Sequence, residues 1–186
     1  MKTKNDLRIF QEKAEAVQAI VQEIHDLPAA FRYAIELTKK QGGTTLAAPG
    51  WDPESQAALK EGCAQAGVNL LLENLREQAT GIHTGFTRVD WGIAETATLV
   101  LDSTSEDTRI ATSLAETHVA VLPRSRLRPD AMALEEELRR FMQSAPSYLA
   151  FISGASRTAD IERVLTLGVH GPLELHILVL EGQPND

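Results

Sequence analysis

The chain has 186 residues, enough for a buried core, and an ordinary 43% of hydrophobic residues. Eighteen Lys and Arg against 26 Asp and Glu leave a formal net charge of −8, which argues against duplex nucleic acid and anionic lipid as partners, because both call for a basic face. A single cysteine, Cys63, excludes an intrachain disulfide and any cysteine-ligated iron–sulfur cluster or structural zinc site built by this chain alone.

The start, MKTKNDLRIFQEK, is polar and lacks the apolar segment of a secretory signal. No apolar run approaches the roughly 18 residues of a membrane span, and a cytoplasmic protein is expected. Leu7, Phe10, Ala14, Val17, Val21 and Ile24 are spaced three and four apart and predict one long amphipathic helix. Its stripe packs either on the body of the domain or, as a near-heptad seam, against another subunit. Leu27-Pro28 ends it and opens a second helix to about Lys40, stopped by Gln41-Gly42-Gly43.

Strands then alternate with helices. TTLAA (44–48) reads as a strand, and Asp52-Pro53 caps a helix to about Ala66, which Gly67 closes. Cys63 reads as a small apolar filler on that helix. VNLLL (68–72) is the next strand, and an irregular glycine-containing stretch leads to ATLVL (97–101). ATLVL has no polar alternate position, so its strand is expected in the centre of the sheet, buried on both faces. THVAVLP (117–123), an amphipathic helix over 130–143 with Leu134, Leu138 and Phe141 inward, YLAFIS (148–153), a helix from about Thr158, and ELHILVLE (174–181) complete the series. Such alternation predicts an α/β sheet covered on both faces. The expected organisation is one domain over 1–186: an N-terminal helical segment (1–41) and an α/β body (44–181).

Three segments interrupt this plain pattern. In GIAETAT (92–98), Glu95 and Thr96 stand just ahead of a buried strand. A carboxylate there must be solvated, hydrogen-bonded or raised in pKa. It either caps a turn or pairs with an arginine, or it serves as general base, nucleophile or ligand contact. In SGASRTAD (153–160), Ser153, Gly154, Ser156, Arg157 and Thr158 between a strand and a helix suit an anion site at a helix start; equally, Thr158 reads as a cap. There is no Walker or Rossmann spacing. In LGVHGP (167–172), His170 is a proton carrier or a loop residue. His83, His118 and His176 lack metal-ligand spacing, so no metal is expected. Arg124 opens a basic loop, PRSRLRP (123–129).

Ligands of open α/β sheets gather at the carboxyl edge of the parallel strands. Arg124 and Ser153–Thr158 both follow strands and are expected there, joined by Glu95 if its strand runs antiparallel to theirs.

GIAETATLVL, SGASRTADIE and LGVHGPLELHILVLE, in this order, resemble the lactate-utilisation C family, the LUD domain, across about residues 86–181. In one departure, Ala97 replaces the glycine of the family's Glu-Thr-Gly-Thr, a position where glycine permits close approach or positive φ. The resemblance implies a three-layer α/β/α sandwich like ribose-5-phosphate isomerase, glucosamine-6-phosphate deaminase and the coenzyme A transferases. It implies a part in oxidising L-lactate to pyruvate beside iron–sulfur partner proteins, with no cofactor bound by this chain. The alternative is a stand-alone enzyme or binding domain for a small anionic acyl or sugar-acid compound. Glu95 would be its nucleophile or base, as the glutamate is in class I coenzyme A transferases.

Overall fold

The computed structural model describes residues 2–143, 147–159, 165–167 and 171–181. In chain order they form α1 (Lys2–Ala16), β1 (Ile20–Ile24), α2 (Leu27–Lys40), β2 (Thr45–Ala47), α3 (Pro53–Ala66), β3 (Asn69–Leu71), β4 (Thr84–Arg88), β5 (Trp91–Ile93) and β6 (Thr98–Asp102). Then come α4 (Glu106–Ser113), β7 (Thr117–Pro123), β8 (Leu127–Arg128), α5 (Glu135–Met142), β9 (Leu149–Ile152), β10 (Arg157–Ala159), β11 (Leu165–Leu167) and β12 (Glu174–Leu180).

Six parallel strands make the main sheet in the order β1-β12-β7-β4-β2-β3. Strand β7 lies inside it and is buried at every position. Val119 and Val121 point to one face, where Ala30, Phe31, Ala34 and Ile35 of α2 and Leu59 and Cys63 of α3 cover them. Ala120 and Leu122 point to the other face and meet Leu7, Phe10 and Ala14 of α1. Double-sided burial explains why β7 reads as an unbroken apolar run. Both helices on the first face begin as expected. Asp26 accepts from the Ala29 N–H (2.7 Å) and Asp52 from the Ser55 N–H (2.9 Å), with proline in the first turn of each helix.

The second face departs from a plain helical layer. There α1 shares the surface with a four-stranded sheet in the order β8-β5-β6-β9. ATLVL, expected in the main sheet, is β6 of this second sheet. It is buried on both faces all the same: Leu99 and Leu101 face the main core, while Val100 packs with Trp91, Ile93 and Leu134. An apolar run reports two covered faces but not which sheet supplies the neighbours. YLAFIS likewise supplies β9 at the edge of the second sheet.

Two expected helices are corrected. The N-terminal helix stops at Ala16, and Gln18 takes a left-handed conformation (φ 58°) that turns the chain into β1, an edge strand parallel to β12. Val21 and Ile24 therefore lie on a strand rather than on the helical stripe. No helix begins at Thr158: Arg157–Ala159 is a strand paired antiparallel with Leu165–Leu167. The irregular stretch before β6 holds two further strands, β4 and β5. Gly85 hides β4 from a propensity reading, since a Cβ there would lie 1.9 Å from the Ala111 carbonyl oxygen of α4. Among the described residues no helix is long and apolar enough to cross a membrane.

Candidate functional site

The turn between β5 and β6 carries Glu95 and Thr96. These strands pair antiparallel, Ile93 opposite Thr98, so residues 94–97 must reverse the chain in one tight turn. Ala97 closes it in the left-handed region (φ 49°, ψ 41°) and is fully buried against α1. This is the position where the family pattern has glycine, and the positive φ supplies the physical reason for that glycine. The Glu95 N–H donates to the Pro129 carbonyl (3.1 Å), and the residue is exposed to solvent.

Strand β9 runs antiparallel to β6 with Leu99 opposite Ile152, so Ser153 emerges beside Thr98. Three hydroxyls meet there. Thr96 Oγ1 lies 2.7 Å from Thr98 Oγ1, which lies 2.6 Å from Ser153 Oγ. Three hydroxyls joined by two hydrogen bonds keep one O–H available for an outside acceptor, besides spare lone pairs. The antiparallel condition for joining Glu95 to the 153–158 segment is thus met, and Thr96 and Ser153 are brought together.

Gly154 follows with φ 82°, and a Cβ on it would lie 2.7 Å from the Val17 carbonyl oxygen. Both the conformation and the closeness of the loop after α1 require glycine. Ala155 is buried, and the Ser156 N–H donates to the Pro172 carbonyl just ahead of β12 (2.8 Å). Ser156 and Gly154 line a cavity of about 190 Å³ with His118 of β7 and Thr112 of α4. Arg157 is exposed at the start of β10. With a strand in place of a helix at 157–159, the helix-end basis for an anion site is lost. Thr158 belongs to that strand, and His170 lies outside the described residues.

Arg124 does not join this group. It follows β7 at the carboxyl end of the main sheet and pairs with Glu23 of β1 (3.2 Å). Ser156, bonded to Pro172 and sharing a cavity with His118, lies by the amino end of the same strands. The seven-residue β7 separates the two. Following a strand placed them on one edge only if both strands belonged to one sheet, and β9 belongs to the other.

The carboxyl edge has its own recess, of about 300 Å³, whose lining includes Gly50, Trp51, Arg88, Asp90, Asp102 and Ser105. Burial holds the Asp90 carboxyl above the usual carboxylate range, and the nearby Asp102 charge adds to this. The hydrogen bond from the Asp102 N–H (2.7 Å) and the Arg126 and Arg88 charges pull the other way. Asp90 stood in the sequence between two apolar strands, the same signal that marked Glu95. It went unread because β5 was not anticipated.

His118 was also missed as a site residue. It is fully buried, and burial pushes its imidazole down to about 4, so it is neutral at physiological pH. Its Nε2 lies 2.9 Å from Thr87 Oγ1, while Nδ1 has no hydrogen-bond partner among the described residues. No group of three or more His, Cys, Asp or Glu side chains suited to a metal occurs among the described residues.

A six-stranded parallel sheet backed by a second, small sheet, with hydroxyls converging where that small sheet meets the main core, defines an α/β fold of two packed sheets. A crystal structure of a DUF162 family protein from Deinococcus radiodurans has a similar fold: TM-score 0.64, 17% identity, covering 97% of this chain and 99% of that one. The chain belongs to the LUD domain family, whose model matches residues 7–180. It is 38% identical over 112 residues to the Lactate utilization protein C of Halalkalibacterium halodurans, covering 59% of this chain and 49% of that protein. Identity to the protein of the same name from Bacillus velezensis is 30% over 142 residues, 74% of this chain and 56% of the relative. The chain spans about half the length of these curated relatives.

Proposed function

We propose that this chain is a non-cluster component of an assembly that oxidises L-lactate to pyruvate, working beside partner proteins that hold iron–sulfur clusters. The observation that carries the reading is the hydroxyl chain Thr96–Thr98–Ser153, in a chain whose relatives bear the name Lactate utilization protein C. Its uncommitted O–H suits one oxygen of a small carboxylate. Exposed Glu95 and Arg157 flank that point along the chain, and His170 is proposed with Glu95 as a proton-moving group. Cys63 supports the division of labour. It is the one cysteine in the sequence and is buried, and a single thiol does not make the ligand set of a cluster. The finer kinship of the fold, to the sugar-phosphate isomerases and coenzyme A transferases, is part of the same proposal.

Co-purification from a lactate-grown cell tests the assembly. Iron–sulfur proteins retained on the tagged chain support it, and their absence from a salt-gentle preparation with the chain intact counts against it.

A second reading keeps one specific observation: the Glu95 carboxylate is solvent-accessible on a tight turn, as a nucleophile for an acyl compound must be. Acyl or coenzyme A transfer by the isolated chain, abolished in Glu95→Gln, would favour this alternative over the assembly role.

A further inference from the structure

The recess at the carboxyl edge plays no part in the proposed function. It opens where the chain parts in two directions. Strands β2 and β4 lie side by side and parallel, but β2 leads to α3 on the first face and outward to β3, whereas β4 leads to the second sheet on the opposite face and then to β7. Loops that diverge in this way leave a crevice at the carboxyl ends of the strands, the place where open α/β sheets bind ligands. At about 300 Å³ the recess matches the small end of ligand pockets. Trp51 gives it a fixed aromatic wall: the ring stacks on Phe86, centroids 4.8 Å apart, and its Nε1–H donates to the Phe86 carbonyl (3.1 Å). Half-buried Asp90 and exposed Asp102 line it too. Asp90 Oδ2 accepts from the Asp102 N–H (2.7 Å), and Asp102 Oδ1 accepts from the Thr104 N–H (2.8 Å). These bonds fix both carboxyls but use only part of the roughly four acceptor sites each offers. Exposed Ser105 precedes α4 without capping it through its side chain. Arg88, whose charge acts on Asp90, adds the opposite sign to the lining.

We propose that this recess binds a compact, uncharged polyol, with adjacent hydroxyls donating to Asp90 and Asp102 and the carbon skeleton against Trp51. An anionic ligand would lie against two carboxylates, and a cationic one against Arg88. Hydroxyls suit both signs, because each donates and accepts. The site is independent of the lactate reading. Thr98 and Asp102 begin and end β6, so the hydroxyl chain and this recess stand at opposite ends of one five-residue strand.

The test uses the full chain labelled with ¹³C at the aspartate carboxyls, the Asp90 and Asp102 signals being those lost in Asp90→Asn and Asp102→Asn. The probes are D-glucose, D-galactose and D-xylose, with D-glucuronate and D-glucosamine as charged counterparts and cyclohexanol as a ring with a single hydroxyl. At least one neutral sugar should move both signals saturably, and all three counterparts should bind at least tenfold more weakly than that sugar. Asp90→Asn should weaken it at least tenfold, read on the Asp102 signal. Ser105→Phe, which fills the recess from an exposed position, should abolish the movement in a chain that still folds. No saturable movement with any neutral sugar in the folded wild-type chain would overturn the proposal. So would a charged counterpart or cyclohexanol binding as tightly as the best sugar, or sugar binding unchanged in either variant.

Discussion

A neutral imidazole sealed between two sheets makes stability depend on pH. His118 has a folded-state pKa near 4 against an ordinary 6.5, because burial penalises the charged ring. The unfolded chain therefore binds the extra proton first. The contribution is complete above pH 6.5 and drains away as the pH falls towards 4. By pH 5 this amounts to about 2 kcal/mol, at about 1.4 kcal/mol per pH unit. Urea unfolding at pH 7 and pH 5 checks it: the wild type should lose stability over that interval, and His118→Gln should lose clearly less. Equal losses would contradict a buried neutral histidine. Backbone strain offers two further tests by the same measurement. Gln18 is exposed at φ 58°, so Gln18→Gly should stabilise by about 0.5–1 kcal/mol. Gly154→Ala should destabilise by about 2 kcal/mol or more, since it adds both a strained φ and a clash with the Val17 carbonyl.

At the scale of elements, α1 carries the most weight for the site, because it packs directly on the 94–96 turn. Phe10 is completely buried there, and Phe10→Ala should cost about 3–5 kcal/mol and loosen the turn that presents Glu95. Calorimetry should record a lower Tm; an unchanged Tm would mean that α1 is not part of the cooperative unit. Much of this level was legible in the sequence. Pro28, and Pro53 behind its Asp52 cap, marked α2 and α3, and largely apolar runs marked β7 and β12. Strand β1 was not legible, because Val21 and Ile24 continue the three-four spacing of the helix before it, and an edge strand exposes most of its residues. The hydroxyls Thr96 and Ser153 could be picked as site residues, but their meeting through Thr98 depends on a pairing of β6 with β9 that no local pattern encodes. His118 gave no local signal at all. One histidine inside an apolar strand looks like core until its Nδ1 is seen to lack a hydrogen-bond partner among the described residues.

For the whole molecule, two ends of the main sheet have different chemistry. The amino end holds the His118 cavity and the hydroxyl chain. The carboxyl end holds the Asp90–Asp102 recess and the Arg124–Glu23 pair. The account places the organic acid at the hydroxyl chain and assigns electron handling to partners, so surface substitutions at the carboxyl end should matter little for it. Arg124→Ala, which removes a partly exposed ion pair of about 0–1 kcal/mol, should leave lactate use unchanged. The most direct measurement is lactate-dependent growth of a strain lacking its own family member, complemented with the wild-type chain, Thr98→Val or Ser153→Ala. The account predicts that both variants accumulate as folded protein yet support much slower growth on lactate than the wild type, with growth on glucose unaffected. Full wild-type growth on lactate from both variants would contradict it.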